Sequence, residues 1–207
     1  MNQQLAKKLL TLSGWRVAPD IPPESQRCVM IAAPHTSNWD LWYARLAFFA
    51  MDIPVRFTIK QEWMRFPFNL IVGPLGGISI DRRPRAESGQ RPSYVQLMKE
   101  VFERYDQIAI MITPEGTRSL RHQWKTGFYY VAKEAGVPIC LGFLDYGKKL
   151  AGVGPVIYPG QDMAADMQRI MAFYQTIEGR YPEKFAPDER YAYLVYTAVL
   201  ALELSFV

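Results

Sequence analysis

Short apolar runs alternate along this chain with stretches whose apolar residues recur at helical spacing, and that alternation is the strongest constraint on its fold. Cys28 to Ala33, Val55 to Ile59, Gly77 to Ile80, Ile108 to Ile112, Val137 to Leu144 and Val153 to Tyr158 read as strands. Between them, Asn38 to Met51 and Phe128 to Ala135 read as helices, the second stopped by Gly136 with Pro138 beyond. The stripe Val95, Met98, Val101, Phe102 and Tyr105 marks another helix. A further one is marked by Met163, Met167, Ile170, Met171, Tyr174 and Ile177. Strands separated by helices pair in parallel through crossovers, which predicts an α/β fold. Its core is a layered mixed or mostly parallel β-sheet flanked by helices. In such a sheet ligands gather in the loops just past the strand ends. The 207 residues are read as a single domain, 1–207.

Composition narrows the function classes. Hydrophobic residues are 49% and charged residues 21%, enough to bury a core, which excludes a disordered tail, a collagen-like fibre and a disulfide-stapled miniprotein. A net charge of +4 suits a phosphate-bearing partner or a lipid surface but is too scattered for a nucleic-acid binder. Cys28 and Cys140 lie in apolar runs without CxxC spacing and read as buried small hydrophobes. With His35 and His122 as the only histidines, no metal site is expected. His122 reads as a solvated loop residue. A serine hydrolase is set aside, because Gly77-Ile-Ser79-Ile-Asp81 lacks the second glycine of a nucleophile elbow.

The two ends are amphipathic or apolar. Residues 1–17 read as an amphipathic N-terminal helix, with Leu5, Leu9 and Leu12 on one stripe and Lys7 and Lys8 on another arc. A helix packed on the domain and a helix lying in a membrane interface both fit that pattern. The C-terminal segment 186–207 is strongly apolar, yet its uncharged stretch Tyr191 to Leu202 falls short of the about 20 residues a spanning helix needs. Neither end has the form of a secretory signal or a clear membrane span. The buried cysteines suit a reducing compartment, so the expectation is the cytoplasmic side, with any association of these ends with a membrane peripheral or monotopic.

Three clusters of chemistry-bearing residues each follow a predicted strand. In APHTSNWD, His35 and Asp40 are five positions apart, about 140° around a continuous helix, which is a poor pairing angle. They pair if His35 stands in the loop and Asp40 in the first turn of the next helix. Asp40 then orients one imidazole nitrogen and leaves the other free as a base. GGISIDRR places Arg82 and Arg83 at a strand end, where guanidinium groups can grip phosphate in a two-point fork. In TPEGTRS, Pro114 ends a strand and Gly116 permits a tight turn that presents Glu115, Thr117 and Arg118. A base beside an anion cradle points to a reaction on a hydroxyl of a phosphorylated acceptor. Taken singly, each cluster also reads as an ordinary charged or capped turn.

These four stretches, HTSNWD, Gly77 to Arg82, PEGTRS and GVPI at Gly136 to Ile139, resemble in order and spacing the blocks of the glycerolipid acyltransferase superfamily. Its familiar member is 1-acylglycerol-3-phosphate acyltransferase. The first block is its His-x4-Asp motif. The likeness runs from about Cys28 to Pro159. The residue before His35 is often Asn in that family and is Pro34 here, and the one before Pro114 is often Phe and is Thr113 here. The resemblance implies a glycerol-phosphate acyltransferase-like fold and an enzyme of phospholipid biosynthesis. It would move a fatty acyl group from acyl-CoA or acyl-carrier protein to a lysophospholipid, 1-acylglycerol-3-phosphate giving phosphatidic acid. It further implies His35 as general base, oriented by Asp40. Arg82 and Arg118 would hold the acceptor phosphate, with Glu115, Gly116 and Thr117 helping. Lys60 and Lys125 are weaker candidates for anion binding. No cofactor is implied beyond the acyl donor itself. The remaining readings are an acyltransferase for another lysolipid or a glycolipid, and a non-catalytic lipid- or acyl-carrier-binding module.

Overall fold

The computed structural model describes residues 2–60, 64, 66, 70, 73, 76–80, 83, 84 and 89–192, with Lys60 by its backbone alone. Seven strands, β1 (Arg16–Val17), β2 (Arg27–Ala32), β3 (Val55–Lys60), β4 (Gly77–Ile80), β5 (Ile108–Ile112), β6 (Ile139–Asp145) and β7 (Leu150–Ile157), form one sheet in the order β1-β7-β6-β2-β5-β3-β4. Every neighbouring pair is parallel except β6 with β7. The described helices are α1 (Gln3–Leu12), α2 (Trp39–Met51), α3 (Tyr94–Arg104), α4 (Gly127–Ala135) and α5 (Met163–Tyr174).

Beyond Arg27, β2 is apolar because it lies between β5 and β6 with both faces covered. Its alternate residues enter two separate cores. Val29 and Ile31 join Ile110, Leu141, Phe102, Phe128 and Ile170 beneath α3, α4 and α5. Cys28 and Met30 join Ala109, Cys140, Ala6, Leu10, Leu46 and Phe48 beneath α1 and α2. The fold is thus helix–sheet–helix, as the alternation of runs implied. Both cysteines are free and buried, as expected of small hydrophobes.

The helix stops follow local chemistry. Gly136 takes φ +63° and returns its N–H to the carbonyl of Ala132, closing α4 in the left-handed conformation that glycine tolerates. At the N-terminus the expected helix over residues 1–17 is shorter. It ends at Leu12, and Arg16–Val17 instead pairs in parallel with Leu150 and Ala151 of β7. Ala6 and Leu10 turn fully inward, and of the Leu5–Leu9–Leu12 stripe only Leu9 packs against this core. Leu5 and Leu12 are exposed. β7 begins at Leu150, earlier than its apolar run indicates, and α5 ends at Tyr174, before Ile177. Of the C-terminal segment 186–207, residues 193–207 lie outside the described residues. In its described part, buried Asp188 accepts the Trp124 amide at 2.9 Å. Among the described residues no helix is long and apolar enough to cross a membrane.

Candidate active site

The parallel order β6-β2-β5-β3-β4 sends the C-terminal ends of five strands to one edge of the sheet. His35 follows β2, Glu115 and Arg118 follow β5, and Tyr146 follows β6. Convergence on one edge is therefore a consequence of topology.

His35 stands in the loop, and Asp40 sits in the first turn of α2. Asp40 is buried, and a buried carboxylate is costly unless its oxygens find donors. Its Oδ2 accepts from the amides of Thr36 at 2.9 Å and Ser37 at 2.8 Å, and meets His35 Nδ1 at 3.2 Å. Its Oδ1 accepts the Tyr146 hydroxyl at 2.8 Å. Asp40 thus folds the HTSNWD loop around itself, while the Ser37 hydroxyl accepts the Trp39 amide at 3.1 Å. Carbon geometry and charge agree here, since a carboxylate is favoured at the N-terminal end of a helix. With a proton on Nδ1 donated to Asp40, the lone pair of His35 lies on Nε2, which bonds nothing among the described residues.

Glu115 braces the same loop from β5. It is buried, and its Oε1 accepts the His35 backbone N–H at 2.7 Å. Burial pushes its carboxyl up to about 7, against the opposing pull of the His35 amide and imidazole. Burial, and then the bond to Asp40, raise the Tyr146 phenol far above its ordinary range, so it stays a donor. Tyr146 also packs edge-on against Trp15, with ring centroids 4.9 Å apart.

A cavity of about 150 Å³ opens beside the pair, and His35, Asp40 and Arg118 line it. The rest of its wall is mostly apolar, with Ala44, Phe48 and Met51 from α2, Met111 from β5 and Leu144 from β6. A small apolar pocket with a base and a guanidinium in its wall can hold a hydrocarbon chain next to a polar reacting group.

The sequence-predicted residues fall into two groups. His35, Asp40, Glu115 and Arg118 are brought together. Gly116 turns beside them at φ +69°, its N–H bonded to the Thr113 carbonyl, and a side chain there would run into Lys125 Nζ at 2.9 Å. Lys125 therefore lies across the Gly116 turn, and Thr117 Oγ1 accepts the Ser119 amide at 3.3 Å. Arg82 and the Lys60 side chain lie outside the described residues, although β4 ends at Ile80 on the same sheet edge. His122 is exposed, with Nδ1 2.7 Å from the Glu189 carboxylate, and does not line this cavity, in keeping with a solvated role. Among the described residues no group of His, Cys, Asp or Glu is placed to hold a metal ion.

Tyr146 was not foreseen. It lies 106 residues from Asp40, and only its place just past a strand on the site edge hinted at it.

A family model described as Acyltransferase matches residues 17–140. Among solved structures, the fold is similar to that of the 1-acyl-sn-glycerophosphate (LPA) acyltransferase, PlsC, from Thermotoga maritima. That likeness has a TM-score of 0.52 at 14% identity and covers 86% of this chain and 79% of that chain. No curated protein sequence matches. His35, Asp40, Glu115 and Arg118 lie within the matched segment, and Tyr146 lies beyond it.

Proposed function

The chain belongs to the acyltransferase family, and from that premise we propose that it moves a fatty acyl group from an acyl thioester to the hydroxyl of a lysophospholipid, 1-acylglycerol-3-phosphate giving phosphatidic acid. The observation that carries the reading is the shared cavity. An imidazole oriented by a buried carboxylate, a guanidinium and an apolar wall meet within one space.

In this reading the acyl chain of one substrate lies along Ala44, Phe48 and Met51. The acceptor hydroxyl gives its proton to His35 Nε2 as its oxygen attacks the thioester carbonyl. Asp40 holds the imidazole and stabilises the imidazolium that forms. The tetrahedral intermediate collapses, the C–S bond breaks, and the proton passes to the leaving thiolate. A thioester is already activated, so no covalent enzyme intermediate is needed. Arg118, with Arg82, Lys60 and Lys125 as further cations, holds the acceptor phosphate. Glu115 keeps the His35 loop in place through its backbone bond. The donor is acyl-CoA or acyl-carrier protein, and no other cofactor enters.

The enzyme works at the cytoplasmic face of an anionic membrane. Exposed Trp39, Leu41 and Trp42 stand on the first turn of α2 next to the cavity, where indole and leucine side chains can enter a headgroup layer. Truncating residues 1–17 would strip Ala6, Leu10 and Trp15 from the core, so point changes are the better probe. Trp39→Ser with Trp42→Ser should weaken flotation with anionic vesicles, and unchanged flotation would remove that surface.

The activity is tested by incubating purified protein with acyl-CoA or acyl-carrier protein and a panel of lysolipids, alongside His35→Ala. Transfer to 1-acylglycerol-3-phosphate is expected, falling by about 10²–10⁴ in the variant. Equal turnover by the variant would refute the base. Transfer only to another lysolipid or a glycolipid would refute the acceptor. Binding without transfer would leave a lipid- or acyl-carrier-binding module.

A further inference from the structure

The segment that follows α5 is strapped across the His35 loop. Gly179 packs so closely on it that a side chain there would lie 3.0 Å from Pro34 and 3.3 Å from Thr36. On one side of Gly179, the Glu178 carbonyl accepts the Tyr146 amide at 2.9 Å. On the other, the Tyr181 amide donates to Thr36 Oγ1 at 3.2 Å. Arg180 is held between these anchors.

Its guanidinium carbon lies 5.5 Å from the Trp39 ring centre and 5.8 Å from those of Tyr146 and Tyr181. The ring faces attract the cation, and the hydroxyls of Tyr181 and Tyr146 accept from its guanidinium, but two separate phenol oxygens leave the two-point fork that an oxyanion would take unmatched. No carboxylate among the described residues forms an ion pair with it, and the side chain is exposed. An exposed guanidinium positioned by three rings and held by neutral phenols, with no carboxylate among the described residues to neutralise it, is pre-organised for an oxyanion ligand. It stands one ring away from the reacting pair, because the Tyr146 that it covers donates to Asp40.

Topology adds the second half of the argument. In the strand order β6-β2-β5, Arg118 comes from the β5 side of the His35 loop. Arg180 is tied to Tyr146, on the β6 side. The His35 loop, which follows β2, stands between these two sides.

We infer that Arg180 is an anion-recognition residue of this site, binding a phosphate group of a substrate opposite Arg118. The inference rests on the acyltransferase reading for which molecule brings the phosphate. That phosphate belongs either to the acceptor headgroup or to the phosphopantetheine-linked donor. Arg180 lies beyond residues 17–140, so the family match does not account for it.

The test uses the full chain with Arg180→Ala and Arg180→Lys. Calorimetry measures the binding of lysophosphatidic acid, below its micelle concentration, and of acyl-CoA, without need of turnover. Steady-state kinetics with monoacylglycerol as phosphate-free acceptor and acyl-pantetheine as phosphate-free donor then locate the source. Removal of a charge-assisted fork should weaken one phosphate ligand about tenfold or more in Kd and KM, with kcat little changed and Lys intermediate. A shift for lysophosphatidic acid but not monoacylglycerol assigns the acceptor. A shift for acyl-CoA but not acyl-pantetheine assigns the donor. Unchanged affinity for both phosphate ligands, or equal losses with the phosphate-free analogues, would overturn the inference. If no acyl transfer occurs with any protein, the acyltransferase reading fails, while calorimetry still decides on Arg180.

Discussion

Glu115 makes the stability of this protein depend on pH in a direction opposite to most carboxylates. Its carboxyl is pushed from 4.5 in a free chain to about 7 by burial. Between those values the folded protein keeps a proton that the unfolded chain has released. Stability is then greatest below pH 4.5 and falls as pH rises through 7, the loss being nearly complete by about pH 8. From pH 5 to pH 8 that single group should cost about 2.5 kcal/mol. Glu115→Gln keeps a side-chain oxygen to accept the His35 amide but has nothing to titrate. Urea unfolding of both proteins at pH 5, 6, 7 and 8 isolates the effect, because every other group is shared. The stability of Glu115→Gln relative to the parent should climb by that amount across the series. Parallel pH profiles would refute the reasoning, and with it the claim that the carboxyl is desolvated.

Tyr146→Phe removes the donor to Asp40 Oδ1 and leaves the carboxylate that orients His35 one partner short, so kcat should fall about tenfold with KM little changed. An unchanged kcat would reduce Tyr146 to packing. Gly116→Ala meets both a left-handed backbone and Lys125, and should lower stability by about 1–2 kcal/mol in thermal unfolding, whereas Gly127→Ala, which meets nothing within 4 Å, should not. Ala44→Leu narrows the cavity and should penalise long acyl donors over short ones, by about fourfold in KM per methylene displaced. Uniform effects across chain lengths would place the acyl chain elsewhere.

The central strands were readable because burial on both faces leaves β2 and β5 almost wholly apolar. Helix stops such as Gly136 were readable because a positive φ selects glycine locally. β1 was not, since its two residues take their conformation from β7, far along the chain. The same division runs through the site. His35 and Asp40 announce themselves by spacing, and Glu115 and Arg118 by a turn after a strand. Tyr146 and Arg180 carry no local pattern, for their meaning comes from what the sheet edge brings beside them.

That division has a consequence for how activity is acquired during folding. The His35–Asp40 contact spans 5 residues, the Glu115 brace 80, the Tyr146 bond 106 and the Thr36–Tyr181 bond 145. Closing the longest of these loops costs about 3 kcal/mol more chain entropy than closing the shortest. As a growing chain leaves the ribosome, the reacting pair is available early, but its brace, donor and strap arrive in turn. Synthesis must pass residue 152 before the pocket has all its walls, and residue 181 before the strap is tied to the His35 loop.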